Sequence, residues 1–223
     1  MGSLVTHAPT SSAEAHRIEE VLDSVLQALR FELVLACDRA GIDLASVLKN
    51  ATPRVQEALS HESRQWQRTQ SALSNTSGSY TIQLLQAAER LNTRIPSYIV
   101  SMLSKALRRR RKQLSSSTVA LLGMTPRSTT SPLPQAVYEL LKKRGVVVRT
   151  FDPDTALEGD LATALQDADA ALIVRAHPVL ASLTPFHFMR AGVSTVVDAH
   201  NCLRKEDFYK SGVHYAGLGR GSI

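Results

Sequence analysis

The stretch VALLGMTPRSTTSP, residues 119–132, decides how the chain is read. Val119–Leu122 is an apolar, β-rich run of strand length that ends on Gly123. A loop of Thr, Pro, Arg and Ser follows, and LPQAVYELLKKRG (133–145) then has the apolar period of a helix. Strand, glycine exit and helix are how a nucleotide-binding unit opens. A single glycine, however, is not the G-x-G-x-x-G that cradles a dinucleotide pyrophosphate.

Downstream of SSST (115–118) the same alternation continues. Strand-like runs are expected at Val119–Leu122, Val146–Thr150, Ala170–Val174 and Thr195–Val197, with helices at Pro134–Arg144, Leu161–Asp167 and Phe186–Arg190. Strands apolar on both faces and separated by helices predict a covered parallel sheet. Ligands of such sheets lie beyond the carboxyl ends of the strands. Those ends are Gly123–Arg127, Phe151–Pro153, Arg175–His177 and Asp198–Asn201.

Upstream, from Ser12 to about Gln113, the sequence predicts helices only. Ser11–Glu14 has the form of a capping box, after which Ile18, Leu22, Val25, Leu29 and Leu33 recur at helical spacing as far as Gly41. Asp43 is placed to cap a second helix. Pro53–Leu73 is helical in period but polar, and carries Gln65, Trp66 and Gln67 as packing or partner contacts. SNTSGS (74–79) reads as a break. Two more helices follow, through TIQLLQAAERLN and from Pro96 to Arg111. The division expected is a disordered N-terminus over 1–11, a helical domain over 12–113 and an α/β domain over 118–223.

A chain of 223 residues with 43% hydrophobic content and a mean hydropathy of −0.09 fits a soluble protein with a sizeable core. No apolar run approaches the roughly 20 residues of a membrane span, and residues 1–14 lack the pattern of a signal peptide. Two cysteines, Cys37 and Cys202, make neither a disulfide framework nor a metal site, which points to a reducing, cytoplasmic setting. The net charge of +6 is concentrated in RRRRK, Arg108–Lys112. Cations there suit the negative end of a helix dipole; a phosphate-binding or nuclear-import patch is the other reading. Aromatics at 5% do not interleave with the run, which argues against nucleic acid as a partner.

Seven segments carry a resemblance to a known family. FELVLACDRAGIDLASVL, AAERLNTRIPSYIV, VALLGMTPRSTTSP, GVVVRTFDP, DADAALIVRAH, STVVDAHNCL and HYAGLG occur in the order they take in the nucleotide-sugar (UDP-glucose/GDP-mannose) dehydrogenases. The match runs over most of residues 15–219. The resemblance implies an α/β chain in which an all-helical, dimerisation-type domain precedes a Rossmann-like parallel-sheet domain that binds the nucleotide of a sugar nucleotide. It also implies a homodimer through the long central helix. The family's N-terminal NAD domain has no counterpart in the 223 residues, so no NAD cofactor is expected.

The family's catalytic groups are also replaced. Its nucleophilic cysteine stands in a G-G-x-C loop expected between Pro53 and Ala87, where this sequence has one glycine, Gly78, and no cysteine. Aligning Phe31-Glu32-Leu33 with the family's Asn-Glu-Leu puts His16 where the assisting lysine stands and Glu20 where the asparagine stands. The nucleotide half keeps more. Gly123 is retained, Arg127 occupies the lysine position of the family's G-L-x-F-K, and Ser131-Pro132 matches the closing Ser-Pro. The intervening acidic pair and arginine are gone, and the family's Asp-x-Arg becomes Asp198-Ala199-His200. An imidazole is mostly neutral near pH 7, whereas a guanidinium is always charged and bidentate.

The expected function is that of a truncated homologue, a pseudoenzyme without dehydrogenase activity of its own, with residual sugar-nucleotide binding at Gly123, Arg127, Ser131 and His200. The alternatives are a scaffold repurposed for non-redox acid–base chemistry, and a half-enzyme or regulatory partner of a full-length dehydrogenase. His16 and Glu20, spaced i and i+4, are the acid–base candidates or else a surface helix pair. Arg127 is a phosphate contact or a solvent-facing loop residue. His177 is a strand-end structural group or a base, and Asp152 a turn cap with Pro153 or a ligand group. Asp198 and His200 form either an acid–base pair or a structural hydrogen-bonded pair.

Overall fold

The computed structural model describes residues 12–53, 55–56, 83–124, 132–155 and 160–222. Its helical part begins with α1 (Ser12–Ala40), 29 residues long, followed by α2 (Leu44–Lys49), α3 (Gln83–Asn92) and α4 (Ile95–Arg109). α1 stops before Gly41, and Asp43 caps α2 by accepting a hydrogen bond from the Ala45 amide at 3.0 Å. α1 and α3 meet through small residues. Ser24 and Ala28 on one and Ala88 on the other are buried, and Asn92 Nδ2 donates to the Ser24 carbonyl at 3.3 Å. The capping box at Ser11, most of Pro53–Leu73 with Trp66, and SNTSGS lie outside the described residues.

From residue 118 the chain alternates: β1 (Thr118–Leu122), α5 (Pro132–Lys143), β2 (Val147–Phe151), α6 (Asp160–Leu165), β3 (Ala170–Ile173), α7 (Pro178–Ala181), α8 (Pro185–Arg190), β4 (Thr195–Asp198), β5 (His214–Gly217) and β6 (Gly221–Ser222). The sheet order is β2-β1-β3-β4-β5-β6. The first five strands are parallel and β6 runs antiparallel beside β5. This is the α/β, Rossmann-like arrangement expected.

Two corrections follow from the sheet. β5 carries His214 and Gly217, which break an apolar run, so its strand is not among those expected from the sequence. β2 is not apolar on both faces. It is the edge strand, with β1 as its one neighbour in the sheet, and Val147 is 57% exposed.

The period of two along the strands separates two cores. Val119, Leu121, Leu172 and Val197 point to one face, where they meet Ile99, Leu103 and Leu107 of α4 and Val137 and Leu141 of α5. Ala120, Leu122, Ile173, Val196 and Tyr215 point to the other, against Leu165, Leu180, Phe188 and Phe208. Phe31 and Leu35 of α1 join the first core. The helical segment and the sheet therefore share apolar packing, with α4 as the common layer. Leu103→Ala, at a site with no solvent exposure, is expected to cost about 2–5 kcal/mol. In urea unfolding, helix and sheet signals should shift together.

Candidate functional site

In this sheet β1 has β2 on one side and β3 on the other, so the strand order reverses between β1 and β3. That switch point is where open α/β sheets bind ligands. Here it is closely packed. Gly123, just after β1, has φ +89°, and a Cβ built on it would lie 2.8 Å from the Cβ of Arg175 after β3. Any side chain at 123 is therefore excluded both by backbone conformation and by Arg175. The Arg175 guanidinium donates to Asp154 at 2.6 Å and Asp152 at 3.2 Å, joining the loops after β2 and β3.

His177 and Asp152 serve this junction. His177 Nδ1 accepts from the Val179 amide at 3.2 Å and so caps α7, while its Nε2 lies 3.4 Å from Asp154. Asp152 accepts from the Asp154 amide at 3.1 Å, which is the turn-capping arrangement expected. Both side chains thus have structural partners.

The exit of β4 is built differently. Asp198 is fully buried and accepts hydrogen bonds from the His200 amide at 3.0 Å, the Leu203 amide at 2.9 Å and the Tyr215 hydroxyl at 3.4 Å. Burial pushes its carboxyl above the usual range, and the backbone donors oppose that shift. The expected pairing of Asp198 with His200 is corrected in one respect. The carboxylate takes the backbone amide of His200, because the tight turn after β4 brings that N–H, rather than the imidazole, onto it. Asn201 has φ +54° and donates from Nδ2 to the Leu218 carbonyl at 2.7 Å. Gly217 permits this approach, since a Cβ there would sit 2.5 Å from Asn201 Oδ1.

This turn forms one wall of a cavity of about 170 Å³. The opposite wall is a stripe on α1, Gln27, Arg30, Phe31 and Val34, and α2 closes a side with Leu44 and Leu48. Salt bridges brace the rim: Lys205 Nζ lies 3.3 Å from Asp43, and Arg220 Nε lies 3.9 Å from the same carboxylate. The Leu44 amide donates to the Gly219 carbonyl at 2.8 Å. Burial moves the His200 imidazole down to about 4, and the charges of Arg30 and Arg175 act in the same direction. Burial also lowers the Arg30 guanidinium from its usual value.

Of the expected site residues, Gly123 stands at the switch point and His200 in the cavity wall. Arg127 and Ser131 lie outside the described residues. His16 and Glu20 fall one turn apart on the first turns of α1, and their side chains lie outside the described residues. Sequence reasoning missed Gln27, Arg30 and Asn201. The signal was available for two of them: Gln27, Arg30, Phe31 and Val34 are spaced i, i+3, i+4 and i+7, which sets polar groups within one face. RRRRK lies at the end of α4, as the helix-dipole reading has it. Arg110 donates to the Gly212 carbonyl and Lys112 pairs with Asp169, tying the run to the amino ends of the strands.

No family model matches the chain. Among curated proteins it is similar to the UDP-N-acetyl-D-mannosamine dehydrogenase of Pyrococcus horikoshii, at 27% identity over 150 residues, 63% of this chain and 34% of the relative. The solved structure of the UDP-D-ManNAc dehydrogenase from that organism superposes with a TM-score of 0.75 at 23% identity, covering 95% of this chain and 53% of the other. An NDP-N-acetyl-D-galactosaminuronic acid dehydrogenase from Methanosarcina mazei gives 0.71 at 17%, covering 94% and 51%. The chain thus spans about half the length of these solved relatives. The structural likenesses establish the fold. Together with the curated relative, they point consistently to the UDP-sugar dehydrogenases, the family resembled by the strand-end segments. Among the described residues no helix is long and apolar enough to cross a membrane.

His200 yields a pH test. Its folded pKa of about 4 lies below the 6.5 of an ordinary histidine, so on lowering pH the unfolded chain takes up this proton first. The stability it contributes is full above pH 6.5 and is lost as pH falls toward 4. The His200 ring resonances should stay flat in NMR titration from pH 8 to about 5.5. His200→Gln should weaken the loss of stability over that acidic window; an unchanged slope would contradict the burial argument.

Proposed function

We propose that these 223 residues bind the nucleotide portion of a UDP-sugar and do not themselves carry out hydride transfer. The observation that carries the binding reading is the cavity at the β4 exit, lined by Arg30 and His200, in a Rossmann-like fold whose neighbours are UDP-sugar dehydrogenases. Gly123 is retained at the β1 exit, and Arg127 and Ser131 follow in the loop beyond it. The absence of redox chemistry is argued from composition: no cysteine stands between Pro53 and Ala87, and His16 replaces the assisting lysine. Binding needs a shaped and charged recess, while reaction needs a nucleophile and a hydride acceptor as well. NAD is accordingly not a cofactor of these residues, and the cysteines, both unpaired, suit a reducing cytoplasmic compartment.

Isothermal titration is expected to give binding of UDP and of UDP-N-acetyl-D-mannosamine with Kd on the order of 0.1 mM, about −5.5 kcal/mol, and no heat with NAD. Mixing chain, UDP-sugar and NAD is expected to produce no absorbance at 340 nm. Lack of any nucleotide response would sink the binding reading, and NADH production by the pure chain would sink the other half.

We further propose that the chain pairs with a second copy through α1. Ser24, Ala28, Phe31 and Leu35 are buried along one side of this helix. Leu22, Leu26, Leu29 and Leu33 repeat the same i, i+4, i+7, i+11 spacing on the opposite side, where Leu22 is 55% and Leu29 49% exposed. A leucine seam of that spacing is what a helix presents to a partner helix. Leu22→Glu with Leu29→Glu is expected to convert the dimer to monomer in sedimentation while leaving the circular dichroism unchanged. A wild-type chain that sediments as a monomer at 100 μM rules the pairing out.

A further inference from the structure

The carboxyl ends of α4 and α5 lie side by side at the amino edge of the sheet. Both helices pack on the same face, and a Cβ built on Gly145, just after α5, would lie 3.7 Å from the Ser115 carbonyl, a few residues past α4. This sets two basic runs together, Arg108–Lys112 and Lys142–Arg144, whose eight cations exceed the chain's net charge of +6. All eight are exposed. Arg110 donates to the Gly212 carbonyl before β5, and Lys112 pairs with Asp169 before β3. The band therefore crosses the edge from β5 to β2, a width of four strand spacings or roughly 19 Å. Of the acidic groups before β3, Asp169 is taken up by Lys112, and Asp167 lies against Gly192 beyond α8.

Helix dipoles account for part of this charge only, since their effect is confined to the last turn and both runs continue past it. The two helices also end alike. The Arg111 amide donates to the Arg108 carbonyl and the Lys112 amide to the Leu107 carbonyl, at 2.9 and 3.1 Å, as the Gly145 and Val146 amides do to Lys142 and Leu141 at 3.0 and 3.1 Å. At the left-handed position of this motif α5 has Gly145, φ +77°, whereas α4 has Arg111, φ +56°. Backbone conformation favours glycine there, so the helix end itself does not call for a cation at 111.

We propose that this basic edge docks the chain peripherally on an anionic lipid surface. Two exposed side chains stand at the ends of the band: Val147 (57%) at the start of β2, and Tyr209 (56%) beside Lys210 ahead of β5. Cations flanked by an aliphatic and a tyrosine suit the interface of a bilayer, where lipid phosphates take the charge and amphipathic side chains enter the headgroup layer. A nucleic-acid backbone would also take the cations but gives Val147 nothing to enter. The cavity at the β4 exit lies at the other end of the strands, roughly 13 Å away along the four residues of β4. Docking by the amino edge leaves it uncovered and is independent of what the cavity binds.

The test is co-sedimentation of the full chain with phosphatidylcholine vesicles, with and without about 30% phosphatidylglycerol, at about 0.05 M and about 0.5 M salt. The chain is expected to bind the anionic vesicles at low salt, to leave them at high salt and to ignore the neutral ones. At about fivefold per charge, Arg108→Gln/Arg111→Gly and Lys142→Gln/Lys143→Gln/Arg144→Gln should each weaken partitioning by about 10-fold or more. Val147→Ser/Tyr209→Ser should weaken it less and keep its salt dependence. Arg90→Gln/Arg94→Gln removes two exposed cations at the opposite end of α4 and should leave partitioning unchanged. Thermal unfolding checks each variant, and should one basic-edge set fail to fold, the other decides. No binding of the wild type to anionic vesicles, equal binding to neutral ones, or equal loss in Arg90→Gln/Arg94→Gln overturns the docking edge. Tighter binding to duplex DNA at equal phosphate, indifferent to Val147→Ser/Tyr209→Ser, overturns the lipid assignment in favour of nucleic acid.

Discussion

The buried carboxylate of Asp198 is the constraint around which the site is arranged. An ionised group without solvent exposure costs several kcal/mol in a low-dielectric interior unless donors surround it. Here the donors are the amides of His200 and Leu203 and the hydroxyl of Tyr215. Satisfying them forces the chain to curl around the carboxylate as soon as β4 ends. That curl sets His200 and Asn201 into the cavity wall and joins β4 to β5 through Tyr215. Tyr215 and Cys202 are both pushed well above their usual values by burial and by Asp198, so both are neutral donors at ordinary pH. The carboxylate is thus a structural anchor, and the groups it positions are ones that line the cavity.

The second wall depends on how the helical segment is held. Asp43 caps α2 and also faces Lys205 and Arg220 from the sheet side. One carboxylate therefore serves a local helix start and a contact more than 150 residues away in sequence. With the Leu44 amide on the Gly219 carbonyl and Phe31 in the sheet's core, α1 is fixed where its Gln27–Arg30 face closes the cavity. The cavity is thus walled by both parts of the chain.

Much of this was legible from periodicity, and the parts that were not have definable causes. β1, β3 and β4 were found because their apolar runs are continuous, as strands covered on both faces must be. β5 was missed because His214, Gly217 and the glycine-rich turn after it resemble a loop, whereas its pairing with β4 comes from tertiary contact. At the site, Gly123 and His200 were visible because they stand at strand ends. Arg30 was not, since a charged residue on a long helix is ordinarily solvated. Only the docking of α1 against the β4 exit gives it a cavity to face. The His200 ring was paired with Asp198 on proximity in sequence, but a turn two residues long delivers a backbone amide instead.

A strand exit and a helix face differ in what they do for a charged side chain. At the β4 exit, position 200 follows a fully buried strand, next to the Val174 carbonyl and the Asp198 turn, and desolvation there falls on any ionised group. A neutral imidazole is the cheaper occupant of that wall. On α1 the Arg30 guanidinium lines the same recess beside Phe31 and Val34, and burial lowers it from its usual value. The guanidinium in the cavity wall, that of Arg30, thus comes from the helix and the imidazole from the strand exit. The make-up of the cavity wall therefore depends on how α1 is seated against the β4 exit.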